Sequence, residues 1–273
     1  MDILASLPLW YLLTVVAILG AVMASFGNVV AYRLHTNASL NDRSRCFSCG
    51  QTLRWYELVP LVSYVALRGR CRCCRSRIPT RDVVVEVVSA VGYVVVFLTA
   101  PTLFLVVLNW ALFTTLLIIA TYDITHYIIP DELVCIVGGL GVAVFTLRHW
   151  PITLSDGLAL VSTLAIAAGL YAALWKVSGG RWLGFGDVKL AAVLAPFLHF
   201  EAAFTMVVLS FWIGAAVGVG LLGVSWLQRL YARWVPAREA LTLKSEIPFA
   251  PFIVVAFLVV YMYDVSVLSL FTI

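Results

Sequence analysis

A chain of 273 residues that is 63% hydrophobic and only 12% charged, with a mean hydropathy of +1.02, cannot form a soluble domain with a polar exterior. Its formal net charge of +4 arises from 18 Lys and Arg against 14 Asp and Glu gathered in a few loops, so membrane topology accounts for it without a nucleic-acid partner. Lipid is the solvent, and basic loops can also meet anionic head groups.

A spanning helix needs about 20 apolar residues. Eight apolar segments follow in chain order, at 8–32, 83–100, 102–122, 132–148, 155–177, 188–199, 202–227 and 249–271. Apolar runs recur from end to end, so the first is a membrane span rather than a removable signal peptide. The sixth is short, and Pro130, Pro196 and several glycines mark ends or breaks. The expected fold is an all-α polytopic membrane protein with about eight transmembrane helices, seven being the near alternative. Basic residues near membrane ends stay on the cytoplasmic side. With the amino terminus outside, 17 of the 18 fall inside, in the regions 33–81, 176–189 and 229–244, and only Arg148 falls outside.

Between the first two segments, residues 35–82 are the one stretch long enough to fold outside the bilayer. They carry two CxxC pairs, Cys46/Cys49 and Cys71/Cys74, separated by 21 residues. Two such knuckles make a four-sulfur site of the kind zinc prefers, with no open position for chemistry, so the metal would be structural. A domain this small needs such a staple. Cys73 is a spare sulfur beside Cys74. The competing readings are reduced cysteines without metal or a disulfide, the latter disfavoured by cytoplasmic placement. Cys135 reads as a small buried hydrophobe.

Acidic side chains at apolar segments are functional candidates because lipid makes them costly. Asp123 closes the third segment, and Asp187 opens the sixth within Gly184-Phe185-Gly186-Asp187, 64 residues later. Both fall near the cytoplasmic face. Two aspartates in one cavity hold a single proton between them: the ionised one activates water while the protonated one polarises a carbonyl and then protonates the leaving amine. Gly184 and Gly186 would let substrate and backbone approach Asp187. On spacing alone, the competing reading is that Asp187 caps a helix and Asp123 hangs among head groups. Asp131 is assigned to capping. Glu86, one turn into the second segment, faces protein or cavity as an arginine partner or a substrate contact. Lys189 can snorkel to the surface, and Gly214 and Gly218 form a GxxxG helix contact.

These residues resemble the bacterial type IV prepilin peptidases, the bifunctional leader peptidase and N-methyltransferase family. Ala24-Ser25-Phe26-Gly27-Asn28-Val29-Val30-Ala31-Tyr32-Arg33 resembles the family's first-helix motif, with Gly27 where a larger apolar residue is usual. Arg45 to Glu86 is closest, carrying both CxxC pairs, Trp55-Tyr56-Glu57-Leu58-Val59-Pro60, Ser63-Tyr64, Arg68-Gly69-Arg70-Cys71 and Ile78-Pro79 in family order. Asp123 falls in the first aspartate motif and Asp187 in the GxGD motif, which also resembles presenilin-type intramembrane proteases. Ile247-Pro248-Phe249-Ala250-Pro251-Phe252 resembles a further signature, with Ala250 in place of the customary glycine.

The resemblance implies a bacterial inner-membrane endopeptidase, with Asp123 and Asp187 catalytic and the active site facing the cytoplasm. Its substrates would be precursors of type IV pilins or type II secretion pseudopilins, cut after the Gly that ends a short basic leader. It further implies S-adenosylmethionine-dependent methylation of the new amino terminus. The expected organisation is a first transmembrane helix over 1–34, a cytoplasmic four-cysteine zinc-type domain over 35–82 and a transmembrane aspartic peptidase core over 83–273. The insert is the expected methyl-donor site, since no glycine-rich strand-to-helix fingerprint is present. Asp42, Glu57, Asp82 and Glu86 are the expected contacts of a basic leader. Two other classes remain: an ion-coupled or proton-coupled transporter using Asp123 and Asp187, and a zinc-stapled membrane scaffold.

Overall fold

The computed structural model describes residues 7–36, 39, 41–231 and 247–267. Most of the basic cluster expected at 229–244 and the end of the last apolar segment lie outside the described residues. The described chain is helical apart from two isolated antiparallel bridges, Arg45 with Thr52 and Arg70 with Arg77. Helix predominates for the reason apolar composition gives: without water, only intrasegment hydrogen bonds satisfy the backbone.

The helices are α1 (Leu9–Thr36), the short α2 (Val62–Ala66), α3 (Thr80–Thr99), α4 (Leu103–His126), α5 (Asp131–Arg148), α6 (Leu154–Ser178), α7 (Phe185–Leu194), α8 (Phe200–Tyr231) and α9 (Ala250–Tyr263). All but α2 coincide with the eight apolar segments. Five are long and apolar enough to cross a membrane: α1, α3, α4, α6 and α8 through Trp226. The 18-residue α5 holds Asp131, Glu132 and Arg148, and α9 has 14 residues. Only 10 residues long, α7 continues into a 3-10 turn at Ala195–Phe197, where Pro196 has no amide proton to extend the helix. At 1.5 Å per residue the α7 segment spans about 20 Å, short of the hydrocarbon core of about 30 Å.

Two compact units divide the chain, Met1–Tyr122 and Asp123–Ile273. In the first, α1 and α3 pack through Gly20, where an added Cβ would lie 2.7 Å from the Ser89 carbonyl. The Ser89 hydroxyl donates to the Gly20 carbonyl at 2.8 Å. α3 meets α4 through Tyr93, whose hydroxyl lies 2.6 Å from that of Thr114. Its ring stacks on Trp110 at 5.0 Å, and the Trp110 indole donates to the Tyr93 carbonyl at 3.0 Å. In the second unit α5 approaches α7 over Gly138 and Gly141. α6 packs on α7 and α8, and α9 lies against α8. The expected GxxxG contact is between α8 and the entry to α9: a Cβ on Gly214 would lie 3.1 Å from Phe252 and 3.3 Å from Phe249.

Candidate active site

Asp123 lies in the last turn of α4 and Asp187 in the first turn of α7, both in the second unit. Helix α6 prepares the position of Asp187. It ends at Gly179 in the left-handed region (φ 60°), with the Gly180 amide donating to the Trp175 carbonyl at 2.9 Å. A short loop then turns the chain back, and Phe185 packs on Trp175 at 5.2 Å between ring centres. Asp187 is the third residue of α7, and its Oδ2 accepts the Gly184 amide at 3.2 Å. The helix-capping role and the placement of a buried carboxylate are therefore the same geometry.

The two carboxylates are nearly enclosed, with 5% and 7% exposure. Asp123 Oδ2 accepts the backbone amide of Ala250 at 3.2 Å, so the first residue of α9 donates to it. That helix amino terminus brings the positive end of a helix dipole to the carboxylate. Ala250 is fully buried and outside the left-handed region, so the position does not require the glycine customary in the family it resembles.

Of the two motif glycines, Gly186 is tightly packed: an added Cβ would lie 3.2 Å from Ile129 Cβ. At Gly184 it would meet Asp187 Oδ2 at 3.6 Å, an ordinary contact, so a side chain there would occupy the space beside the carboxylate. Lys189 forms an ion pair with Asp131 and lies 5.9 Å from the Phe185 ring centre, tying the starts of α7 and α5 together.

Tyr171 on α6 was not singled out by sequence, and Phe249 entered only as part of the Ile247–Phe252 signature. Tyr171 is fully buried, bonds Ser210 at 2.7 Å, stacks on Phe211 and meets Phe249 at 6.2 Å between ring centres. A tyrosine inside an apolar segment resembles core packing in sequence, and only the helix contacts distinguish it.

The acids expected to meet a basic leader are largely engaged within the first unit. Glu57 accepts the Arg72 guanidinium at 3.0 Å and the Arg54 amide at 2.7 Å. Glu86 is buried and accepts the Leu61 amide at 2.8 Å together with the Ser25 hydroxyl, where an arginine was one expected partner. Asp82 pairs with Arg81 at 3.5 Å, whereas at Asp42 it is the backbone carbonyl, not the carboxylate, that accepts Arg33.

The sulfurs of Cys46, Cys49, Cys71 and Cys74 all lie within 4.8 Å of one another, with Cys46 and Cys74 3.9 Å apart. A tetrahedral zinc with bonds of about 2.3 Å requires sulfurs about 3.8 Å apart, so the donor set fits. The knuckles are built alike. The Cys46 amide donates to the Gln51 carbonyl at 2.9 Å and the Cys71 amide to the Ser76 carbonyl at 2.8 Å. Gly50 (φ 69°) and Arg75 (φ 56°) take the same left-handed position four residues after the first cysteine. Equivalence of the knuckles selects Cys74 over Cys73. The backbone amides of Cys49 and Ser48 hold the Cys46 thiol at about 6, and the Ser76 hydroxyl lowers that of Cys74. Cys49, whose thiolate the Gln51 amide favours, is nevertheless pushed up to about 12 by desolvation and by its hydrogen bonds to the other cysteines. Cys135 is exposed rather than buried.

Residues 18–100 match the bacterial peptidase A24 N-terminal domain, and residues 110–219 match the type IV leader peptidase family. A prepilin leader peptidase/N-methyltransferase of Burkholderia pseudomallei is 31% identical over 281 residues, covering 91% of this chain and 84% of the relative. One of Pseudomonas putida is 33% identical, covering 78% and 82%, and one of Pseudomonas aeruginosa is 29% identical, covering 94% and 91%. No solved structure matches the chain.

Proposed function

The chain belongs to the type IV leader peptidase family, and on that premise we propose that it is a membrane aspartic endopeptidase that removes the basic leader of type IV prepilins or pseudopilins. Asp123 and Asp187 are the catalytic pair. The observation that carries this reading is that two carboxylates 64 residues apart in sequence are both buried at helix ends, each with one oxygen held by a backbone amide.

Carboxylates so placed do not both ionise readily, so the pair holds one proton. The ionised member takes a proton from water as its oxygen attacks the carbonyl carbon of the leader's last Gly. The protonated member donates to that carbonyl oxygen; as the C–N bond breaks, the member that took water's proton gives it to the leaving amine, and the re-forming carbonyl returns a proton to the other member, restoring the pair. The amides of Ala250 and Gly184 hold one oxygen of each carboxylate in place. Both acids stand at helix ends, whereas coupled transport sites tend to lie at the bilayer midplane.

The four-cysteine cluster is proposed to hold a structural zinc with Cys46, Cys49, Cys71 and Cys74 as ligands. Relatives named as methyltransferases support a second activity, methylation of the new amino terminus with S-adenosylmethionine as donor. The described residues contain no strand and hence no glycine-rich strand-to-helix turn to cradle such a donor, and no residue is assigned to it. The proposed setting is the bacterial inner membrane, with the amino terminus periplasmic and the dyad facing the cytoplasm.

The test is cleavage of a prepilin-like substrate with Gly before Phe by purified protein and by Asp123→Asn and Asp187→Asn variants of unchanged thermal stability. Each variant is expected to lose cleavage. Activity surviving in either would overturn the dyad.

A further inference from the structure

The insert is joined to membrane helices at both ends, and it leaves a run of apolar side chains uncovered. Trp55, Leu58, Val62 and Val65 are large, apolar and spaced three or four residues apart, with exposures of 78%, 43%, 63% and 75%. Exposed apolar side chains in such density mark a contact with lipid or a partner. Three arginines flank them, Arg54 just before and Arg68 and Arg70 just after, and all three are exposed or partly so.

Two contacts set the depth. The Leu61 amide, immediately before α2, donates to Glu86 at 2.8 Å, and Glu86 lies one turn beyond Val83, where the apolar run of α3 begins. One turn is about 5 Å, and a helical side chain leans toward the amino terminus. The start of α2 is therefore level with the first apolar residues of a membrane span. At the other tether Phe47 packs on Tyr32, near the end of α1, with ring centres 4.7 Å apart. Aromatic rings at a span's end belong to the head-group level.

We propose that residues 55–66 form an interfacial anchor for the insert. Trp55, Leu58, Val62 and Val65 enter the boundary between head groups and acyl chains of the leaflet at which α1 ends and α3 begins. Arg54, Arg68 and Arg70 pair with the phosphates of anionic phospholipid. The occupant is phospholipid rather than protein because the segment is pinned at the depth of a spanning helix and its flanking charge is complementary to an anionic leaflet. Glu86 then acts as a structural pin: its carboxylate satisfies a loop amide at a depth where water is scarce.

The full chain is placed in nanodiscs of phosphatidylglycerol and phosphatidylethanolamine with Val65→p-benzoylphenylalanine or, separately, Trp55→p-benzoylphenylalanine. The control is Gln51→p-benzoylphenylalanine, at an exposed position on the first cysteine knuckle. After irradiation, mass spectrometry of the labelled peptide is expected to show phospholipid adducts at 65 and 55 several-fold above those at 51. Lipid adducts no higher at 65 and 55 than at 51, or adducts to protein in their place, would overturn the proposal. Two independent positions keep the test decisive if one substitution disturbs folding.

Discussion

The Tyr171 hydroxyl donates to Ser210, because the Ser210 hydroxyl is itself given to the Val207 carbonyl at 2.7 Å. Tyr171→Phe therefore removes one hydrogen bond, about 0.5–1.5 kcal/mol, and keeps the ring against Phe249. Tyr171→Ala removes the ring as well, about 3–5 kcal/mol, and loosens the segment that presents the Ala250 amide to Asp123. Unfolding in detergent should separate the two variants, and cleavage should survive Tyr171→Phe far better; equal loss in both would show that the hydroxyl, not the ring, matters. Only the amide of residue 250 is used, so Ala250→Gly should leave cleavage of the same order. A pair sharing one proton also predicts a bell-shaped pH profile of kcat/KM, since activity requires one carboxylate in each state. The two aspartates stood out in the sequence as candidates because acids beside apolar runs are costly, and the family resemblance, not their spacing, set them above a capping reading. Tyr171 was not, because a buried tyrosine's partners lie on other helices.

Helix contacts here depend on glycines whose missing side chains admit a neighbour. A Cβ on Gly141 would lie 3.2 Å from the Val193 carbonyl and 3.0 Å from Phe197, and one on Gly92 would lie 2.1 Å from the Phe113 ring. Gly141→Ala is expected to cost about 1–3 kcal/mol, the usual range for overpacking, because a backbone carbonyl cannot move aside as a side-chain tip can. Thermal unfolding measures it, with Gly139→Ala as control, since nothing lies within 4 Å of its added Cβ. In the second cysteine knuckle, Arg75 occupies the left-handed position that Gly50 takes in the first. Arg75→Gly should relieve about 1–2 kcal/mol of that conformation and slow metal loss to a chelator. The apolar segments predicted the helices in order. Their packing faces were hidden, because a helix apolar all round has no stripe to read.

Across the molecule, the cysteine cluster stands in the first unit, whereas both aspartates and the backbone amides that hold them stand in the second. Stripping metal with a chelator should raise hydrogen exchange across 41–79 and leave 250–263 unchanged; equal deprotection of both would contradict separate support. Metal should also be lost more readily as pH falls, because the sulfurs bind metal as thiolates and protons compete for them, Cys49 at higher pH than Cys46, whose pKa the Cys49 and Ser48 amides lower. Residue order was enough to establish the lipid setting, the succession of apolar helices, the two CxxC pairs and the two acids, because composition, run length and spacing are local along the chain. Only the folded chain shows that Asp123 and Asp187 are both buried with a backbone amide on each, that the amino terminus of α9 donates to one of them, that Cys74 rather than Cys73 completes the cluster, and that Glu86 accepts a loop amide. Each of these depends on which helix ends meet in space, and in an apolar chain that choice rests on close packing, which sequence periodicity does not record.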